Sequence, residues 1–280
     1  MDITEKELSQ FINTVKKNSA YDLTDYSEKS LARRIDKVLL DNTCSLNQLL
    51  HKIANDTSFL ETVIKQITVN TTELFRDTHF WQDIRFELLP KIDKKKSLSI
   101  LHAGASSGQE VYSMLILLNE LGLLEKSHVY ATDINEDMIS IAQNGEYPYR
   151  FYESYKESFL SVIKDNPFGK PFNHKPFEYY FESDAKKTYI RTNQMLREHV
   201  HFYTHDLVSL QNPIDTSFDI ILCRNVLIYF KADLQKKIYN FFYKNMQDDG
   251  YLAIGMQESM GWFMSTKFQK FGRFYKKIVL

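Results

Sequence analysis

A short apolar run near residue 100 leads into a glycine turn that carries a carboxylate. Residues 97–103 precede Gly104, and Gly108 and Glu110 follow. Glycines at a strand-to-helix turn let the backbone bend tightly and approach a ligand. The spacing differs from the GxGxxG of dinucleotide sites, and a pyrophosphate favours N–H donors without a nearby carboxylate. Glu110 instead suits a ligand with an ammonium or hydroxyl group, although such a turn can also be a plain connection.

An aspartate ends the next strand-like run, residues 129–132. Asp133 at that position can accept hydrogen bonds from both ribose hydroxyls of an adenosine. The alternative role is a helix N-cap, for which Asn135 or Asp137 would serve equally well. With the glycine turn upstream, we favour the ribose role.

A further aspartate, Asp206, follows the apolar run 200–203 and could contact an adenine edge. His199, His201 and His205 lie close to it and raise the question of a metal site. No cysteine or carboxylate completes a recognisable zinc spacing. We therefore expect surface or packing histidines and no metal.

Polar side chains also follow the buried strand predicted over 218–223. Arg224 and Asn225 come directly after it, and Tyr229 lies in the short apolar stretch beyond. Ligands of open α/β sheets bind outside the carboxyl ends of the strands. These side chains are expected at the same mouth as the glycine turn, with a buried structural role for Arg224 as the alternative.

Strands alternate with helices from about residue 97 onward, which predicts an α/β fold with a mostly parallel sheet. Further elements are predicted as helices over 108–121, 137–144 and 233–246 and strands over 251–255 and 268–279. No helix pattern separates the last two strands, so an antiparallel edge is expected. The proline-rich stretch 166–176 and the runs 177–181 and 188–191 predict a small β insertion.

The N-terminal residues 1–65 are predicted to be helical throughout. They contain neither glycine nor proline, and apolar residues recur every three or four positions. In the helix predicted over 27–40, Lys29, Arg33 and Lys37 form a basic ridge with Arg34 beside it. The ridge is either a solvated helix face or a docking surface for an acidic partner.

Composition narrows the class of protein. The 280 residues include 35 Lys and Arg against 36 Asp and Glu, a balance that argues against a nucleic-acid binder. No apolar stretch is long enough to insert into a bilayer, and the charged N-terminus is unlike a signal peptide. Cys44 and Cys223 are the two cysteines, which suits a reducing compartment. We expect a cytoplasmic protein.

Together these segments resemble the CheR family of chemotaxis receptor glutamate methyltransferases. The matching runs are NTTELFRD, LHAGASSGQEVYSM, YATDINEDMISIAQNGEY, HFYTHDL and FDIILCRNVLIYF, in the family's order and spacing. The resemblance implies a class I S-adenosylmethionine-dependent methyltransferase. Its Rossmann-like, mostly parallel sheet would have an antiparallel C-terminal edge strand. It would also have an N-terminal all-α domain over 1–68 and a methyltransferase domain over 69–280, with a small antiparallel β insertion at about 172–198.

The resemblance also implies site residues. The donor site falls on Asn70, Thr72, Arg76, Gly104, Glu110, Asp133, Asp206, Leu207, Arg224 and Asn225. The family's active-site pair falls on Arg76 and Tyr229. Asp206 stands where the family commonly has asparagine, and it can accept a hydrogen bond from an adenine amino group but cannot donate one.

The implied reaction moves a methyl group from S-adenosylmethionine to glutamate side chains of chemotaxis receptors, giving glutamyl methyl esters and S-adenosylhomocysteine. The acidic methylation region of the receptor's cytoplasmic helices would dock on Lys29, Arg33, Arg34 and Lys37 of a monomeric enzyme. Members that grip a receptor's C-terminal pentapeptide have a longer, glycine-bearing loop than residues 182–187, so pentapeptide-independent action is expected. A non-chemotaxis acceptor, a small-molecule methyltransferase and a non-catalytic donor-binding scaffold stay open.

Overall fold

The computed structural model describes residues 3–92, 97–164 and 173–279. The chain divides into two compact units. The first is Met1–Val69 with Val226–Tyr239, and the second is Asn70–Asn225 with Asn240–Leu280. Residues 226–239 therefore belong with the N-terminal helices although they lie far along the chain.

The described helices are, in chain order, α1 (Glu5–Asn18), α2 (Glu28–Asp41), α3 (Leu46–Asn55), α4 (Thr57–Ile67), α5 (Thr78–Asp83), α6 (Gln109–Glu120), α7 (Glu136–Asn144), α8 (Tyr152–Ile163), α9 (Phe177–Tyr180), α10 (Gln194–Glu198) and α11 (Ala232–Asn245). The described strands are β1 (Leu98–Ala103), β2 (Ser127–Asp133), β3 (Glu146–Pro148), β4 (Phe181–Ser183), β5 (Tyr189–Thr192), β6 (Val200–Thr204), β7 (Phe218–Cys223), β8 (Met246–Ile254), β9 (Phe268–Phe271) and β10 (Phe274–Lys277).

The first unit is built on the apolar faces of α1 to α4. In α2 the residues Leu31, Ile35, Val38 and Leu39 are all buried, which confirms the helix predicted over 27–40 and its inward face. Burying each such side chain stabilises the unit by about 1.5–3 kcal/mol. The opposite face of α2 therefore stays on the surface with its basic residues.

The second unit is a seven-stranded sheet with helices around it. The strand order is β6-β2-β1-β7-β8-β10-β9, and the first five strands run parallel. The strands β10 and β9 are antiparallel. Helix α6 is buried almost all round, which explains why its sequence is apolar on more than one face. The predicted fold class is confirmed.

Two predicted elements differ from the structure. The single strand predicted over 268–279 is a hairpin, because Gly272 adopts φ +57 and turns the chain between β9 and β10. The run predicted as a strand over 177–181 begins as helix α9, with Pro176 preceding its first turn. A small sheet of order β3-β5-β4 accompanies it, so one of its strands comes from residue 146 onward rather than from the insertion. Most of the proline-rich stretch 166–176 lies outside the described residues.

Candidate active site

The carboxyl ends of four parallel strands meet at one edge of the sheet. The register pairs Ala103 with Thr132 across β1 and β2, and His102 with Leu222 across β1 and β7. Strand β6 pairs with β2 up to Asp133. The residues at the ends of these strands or just beyond them are therefore neighbours, as the sequence predicts. They are Gly104, Asp133, Asp206 and Arg224.

Asp133 is held in place by main-chain donors. Its Oδ2 accepts a hydrogen bond of 2.7 Å from the N–H of Ser106, and its Oδ1 accepts one of 2.9 Å from the N–H of Asn135. Asn135 is the residue that caps α7, so the N-cap alternative for Asp133 does not hold. Burial raises the pKa of Asp133, and the main-chain donors oppose that shift only in part. Each carboxylate oxygen can accept one more hydrogen bond, so the two oxygens together can accept one from each of two ribose hydroxyls.

The turn that presents Ser106 depends on two glycines with left-handed backbone. Gly104 has φ +83 and Gly108 has φ +89. A Cβ at residue 108 would lie 2.8 Å from Cβ of Ala142 in α7, closer than side chains pack. The turn therefore needs glycine both for its conformation and for its approach to α7.

We expect Gly108→Ala to destabilise the second unit by about 3 kcal/mol, since left-handed backbone and overpacking each contribute about 1–2 kcal/mol. Gly122→Ala is the matched control, because Gly122 has φ +67 and a Cβ added there would meet no atom within 4 Å. That change should cost only about 1 kcal/mol. Urea unfolding measures both, and equal losses for the two variants would contradict the packing role of Gly108.

Glu110 takes part in a buried charge network. Its Oε1 lies 2.9 Å from Nδ1 of His102, and its Oε2 accepts a hydrogen bond of 3.1 Å from Nη1 of Arg224. Burial acts to raise the pKa of Glu110, but the His102 hydrogen bond and the Arg224 charge outweigh it and lower the pKa. The carboxylate is therefore ionised at neutral pH and keeps acceptor capacity for a ligand ammonium.

Arg224 links this network to the segment that carries Arg76. Its Nη2 donates to Oδ2 of Asp77 at 2.6 Å and to the carbonyl of Arg76 at 3.4 Å. The guanidinium carbon lies 3.8 Å from the centre of the Phe80 ring, and only 1% of the side chain is exposed. Arg224 is thus buried and paired with protein groups, which agrees with the alternative of a buried structural role. Its contact with the donor stays a prediction.

The segment from Asn70 to Asp77 is a strained loop. Phe75 and Asp77 have φ +52 and +60, and each such non-glycine conformation costs about 1–2 kcal/mol. Asp77 is the residue immediately before α5. The carbonyl of Asn70 accepts a hydrogen bond of 3.1 Å from Oγ of Ser106, which joins this loop to the glycine turn.

Three contacts fix Arg76 and its neighbour. The Arg76 carbonyl accepts a hydrogen bond of 2.9 Å from Nε1 of Trp81, and the N–H of Phe75 donates to Oγ of Ser113 at 2.8 Å. The Arg76 side chain donates to the carbonyl of Thr71 at 3.2 Å and is only partly buried. The backbone is therefore held while the guanidinium stays accessible to a ligand.

The remaining predicted donor residues have local partners. Oδ1 of Asp206 accepts a hydrogen bond of 2.9 Å from the N–H of Val208 and caps the short turn that begins at Leu207. Asn225 has φ +61, and its N–H donates to Oε2 of Glu258 at 2.9 Å. Their contacts with the donor stay predictions. Within the described ranges, no group of three or more His, Cys, Asp or Glu side chains could hold a metal ion.

The first unit contains an open groove of about 530 Å³ beside α2. Lys29, Arg33, Asp36, Ile228 and Tyr229 are among the residues that line this groove, which we call the α2 groove. The predicted catalytic tyrosine therefore lies with two of the predicted docking residues.

The other two residues of the basic ridge do not line the α2 groove. Arg34 is half-buried, and Lys37 pairs with Asp41 at 3.9 Å one turn along α2. The ridge therefore divides into a groove pair, Lys29 and Arg33, and two flanking cations.

Sequence reasoning missed several residues of the site. His102, Asp77, Ser106 and Glu258 each bond to a predicted residue, as described above. His102, near the end of the mostly apolar run 97–103, was the one available signal, because a buried polar side chain needs a partner.

The family follows from comparison with known proteins. A model described as CheR methyltransferase, SAM binding domain, matches residues 70–166 and 170–275, and one described as CheR methyltransferase, all-alpha domain, matches residues 6–68. The chain belongs to the CheR methyltransferase family. It is therefore an S-adenosylmethionine-dependent methyltransferase, and Asp133 and Glu110 fit the ribose and ammonium groups of that donor.

Individual relatives align with this chain over nearly its whole length. A Pseudomonas putida protein named methyltransferase Cher3 is 31% identical over 92% of this chain and 90% of its own. The chemotaxis protein methyltransferase of Listeria innocua is 27% identical over 91% of each chain. Chemotaxis protein methyltransferase 1 of Vibrio cholerae is 27% identical over 92% of this chain and 90% of its own. In the parts described, no helix is both long and apolar enough to cross a membrane.

Proposed function

We propose that this CheR methyltransferase methylates glutamate side chains on the cytoplasmic helices of chemotaxis receptors, giving glutamyl methyl esters and S-adenosylhomocysteine. The α2 groove carries the proposal, because Tyr229 and the cations Lys29 and Arg33 line the same concave surface. An acidic helix fits such a surface by charge and shape. The names of the Listeria and Vibrio relatives support a role in chemotaxis.

The donor would be held by the residues at the carboxyl ends of the strands. We assign the ribose hydroxyls to Asp133, the ammonium group to Glu110 and the adenine edge to Asp206. The donor's carboxylate would lie near Arg76. When bound, S-adenosylmethionine supplies a methyl group on an electrophilic sulfonium. Gly104 leaves room for the ligand beside the main chain, and the remaining donor ligands are Asn70, Thr72, Leu207, Arg224 and Asn225.

The acceptor needs orientation more than activation. A glutamate carboxylate has a pKa near 4.3 and is already ionised at neutral pH, so no general base is required. Catalysis then rests on placing the carboxylate in line with the methyl group and excluding water. Arg76 would orient the carboxylate by a charge-assisted hydrogen bond, and the Tyr229 hydroxyl would donate a second one. We propose these two as the catalytic residues.

The receptor would bind without a pentapeptide tether. The turn between β4 and β5 is short and closed by Asp184, whose carboxylate accepts hydrogen bonds from the N–H groups of Thr188 and Tyr189. This leaves no long loop to fold over a peptide.

We propose that the enzyme acts as a cytoplasmic monomer. Its domains would be 1–68 and 69–280, with an insertion at about 172–198.

The direct test incubates the enzyme with methyl-labelled donor and receptor cytoplasmic fragments. Glutamyl esters release labelled methanol in alkali, whereas methylated amines do not. Alkali-labile label on the fragments supports the proposal. If label appears only on other proteins of a cell extract, or only on small molecules, those molecules and not the receptor are the substrate.

The docking role is tested by charge reversal in the α2 groove. We expect the double variant Lys29→Glu, Arg33→Glu to raise KM for receptor fragments about tenfold, because two partly exposed charge pairs at an interface contribute about 0.7 kcal/mol each. Donor affinity should not change. The matched control is Lys17→Glu, Lys244→Glu, which makes the same charge change at exposed positions away from the groove. If both double variants raise KM equally, only net charge matters and α2 does not dock the receptor.

A further inference from the structure

The chain around Tyr229 is paired with the residues that precede α2. The N–H of Ser27 donates to the carbonyl of Tyr229 at 2.8 Å, and the N–H of Lys231 donates to the carbonyl of Asp25 at 2.8 Å. Between these bonds, Tyr26 and Phe230 form an antiparallel bridge. All of these residues belong to the first unit.

Side chains strengthen the same pairing. The rings of Tyr26 and Phe230 meet edge to face with centroids 5.0 Å apart. The Lys231 ammonium lies 2.8 Å from a carboxylate oxygen of Glu28. An aromatic pair of this geometry contributes about 0.5–1.5 kcal/mol beyond its buried area.

A second support comes from the first turns of α11. The side-chain amide of Gln235 donates to the carbonyl of Leu227 at 2.9 Å and to that of Phe230 at 3.0 Å. The main chain at Tyr229 is thus bonded from two directions, at its own carbonyl and at carbonyls before and after it. These bonds fix the main chain from which the Tyr229 side chain extends.

We infer that the residues ahead of α2 act as a positioning clamp for Tyr229, with the main-chain N–H of Ser27 and the ring of Tyr26 as its positioning groups. The inference rests on the proposed catalytic role of Tyr229. The helical unit then contributes to the rate of methyl transfer as well as to receptor binding. A shift of the hydroxyl by about 1 Å can slow a positioned reaction by up to about 100-fold.

The sharpest test replaces a single main-chain donor with a proline ring carbon, which cannot donate and would push the Tyr229 carbonyl away. Ser27 has φ −59, which proline adopts without strain, and its side chain makes no cap hydrogen bond with α2. The preceding Tyr26 takes part in a β-bridge, a conformation compatible with a following proline. We expect kcat of Ser27→Pro to fall about tenfold below that of Ser27→Ala, which keeps the N–H. KM for the receptor fragment and affinity for the donor should agree between the two variants.

Repeating the comparison in a Tyr229→Phe background separates positioning from a general structural effect. Tyr229→Phe alone should lower kcat about tenfold, the value of one hydrogen bond to a charged group. Because no hydroxyl is left to position, kcat should then be nearly the same for Ser27→Pro and Ser27→Ala. A difference that persists undiminished, or none in the native background, overturns the clamp. If Ser27→Pro does not fold, Gln235→Met tests the second support by the same two comparisons.

These experiments distinguish failure of the catalytic role of Tyr229 from failure of the clamp. If Tyr229→Phe is as fast as the native enzyme, the catalytic role of Tyr229 fails and the clamp fails with it. If Tyr229→Phe is slow while Ser27→Pro matches Ser27→Ala, the clamp alone is overturned.

Discussion

Replacing Arg76 by alanine is expected to lower kcat of receptor methylation about 100-fold, because the acceptor carboxylate loses the group that places it in line with the methyl group, and a misplacement of about 1 Å can cost that much. The structure gives two reasons for a large effect. The Arg76 carbonyl is held by Trp81 and Arg224, so the side chain starts from a fixed backbone. The neighbouring Phe75 and Asp77 have positive φ, and such strain persists where surrounding contacts over-determine the conformation.

The measurement must separate catalysis from donor binding, because Arg76 is also a predicted donor ligand. Calorimetric titration with S-adenosylhomocysteine gives the affinity, and initial rates at saturating donor give kcat. Arg76→Lys is the matched control, since it keeps the charge but loses the planar fork. We expect it to recover part of the rate. A kcat for Arg76→Ala within about threefold of the native value would make Arg76 a donor ligand only.

Local periodicity made parts of this protein predictable. The apolar face of α2 follows from three- and four-residue spacing alone, and its basic ridge follows with it. The carboxyl ends of the parallel strands must meet at one edge, so the sequence pattern is enough to place Gly104 and Asp133 together. Both inferences depend on rules that act within one element or between adjacent strands.

The charge network could not be predicted in the same way. His102 and Glu110 lie on either side of the glycine turn, but Arg224 and Asp77 come from two distant segments, and no spacing rule relates these to the turn. Their pairing is enforced by burial, because an ionised group inside the protein needs an opposite charge nearby. Sequence alone suggested that Glu110 faces the ligand, whereas the folded chain also makes it a partner of His102 and Arg224.

The sequence also did not indicate which residues belong to each of the two units. Residues 226–239 follow a core strand of the second unit, yet they belong with the helices of the first. Main-chain bonds from Ser27 and to Asp25 hold part of this stretch, and main-chain bonding leaves no trace in residue types. The hairpin at Gly272 was missed for a related reason, since alternation continues on both sides of the turn.

Asp133→Ala is expected to raise the dissociation constant of S-adenosylmethionine about 100-fold. Two hydrogen bonds from ribose to a charged acceptor account for about 3 kcal/mol, and that energy corresponds to about two decades of affinity. Because Ser106 and Asn135 hold the carboxylate in place, little of this energy is lost in ordering the side chain. Calorimetric titration of the purified enzyme measures the change.

A pH series distinguishes loss of the carboxylate from loss of local structure. Burial raises the pKa of Asp133, and the ribose is bound by its ionised form. Donor affinity of the native enzyme should therefore fall as the pH drops through that raised pKa, at a higher pH than an ordinary aspartate would give. Asp133→Asn is the matched control, since it has a similar shape and no charge to lose. Its affinity should be low and flat over the same range, and a native profile that is equally flat would show that Asp133 does not bind the ribose as a carboxylate.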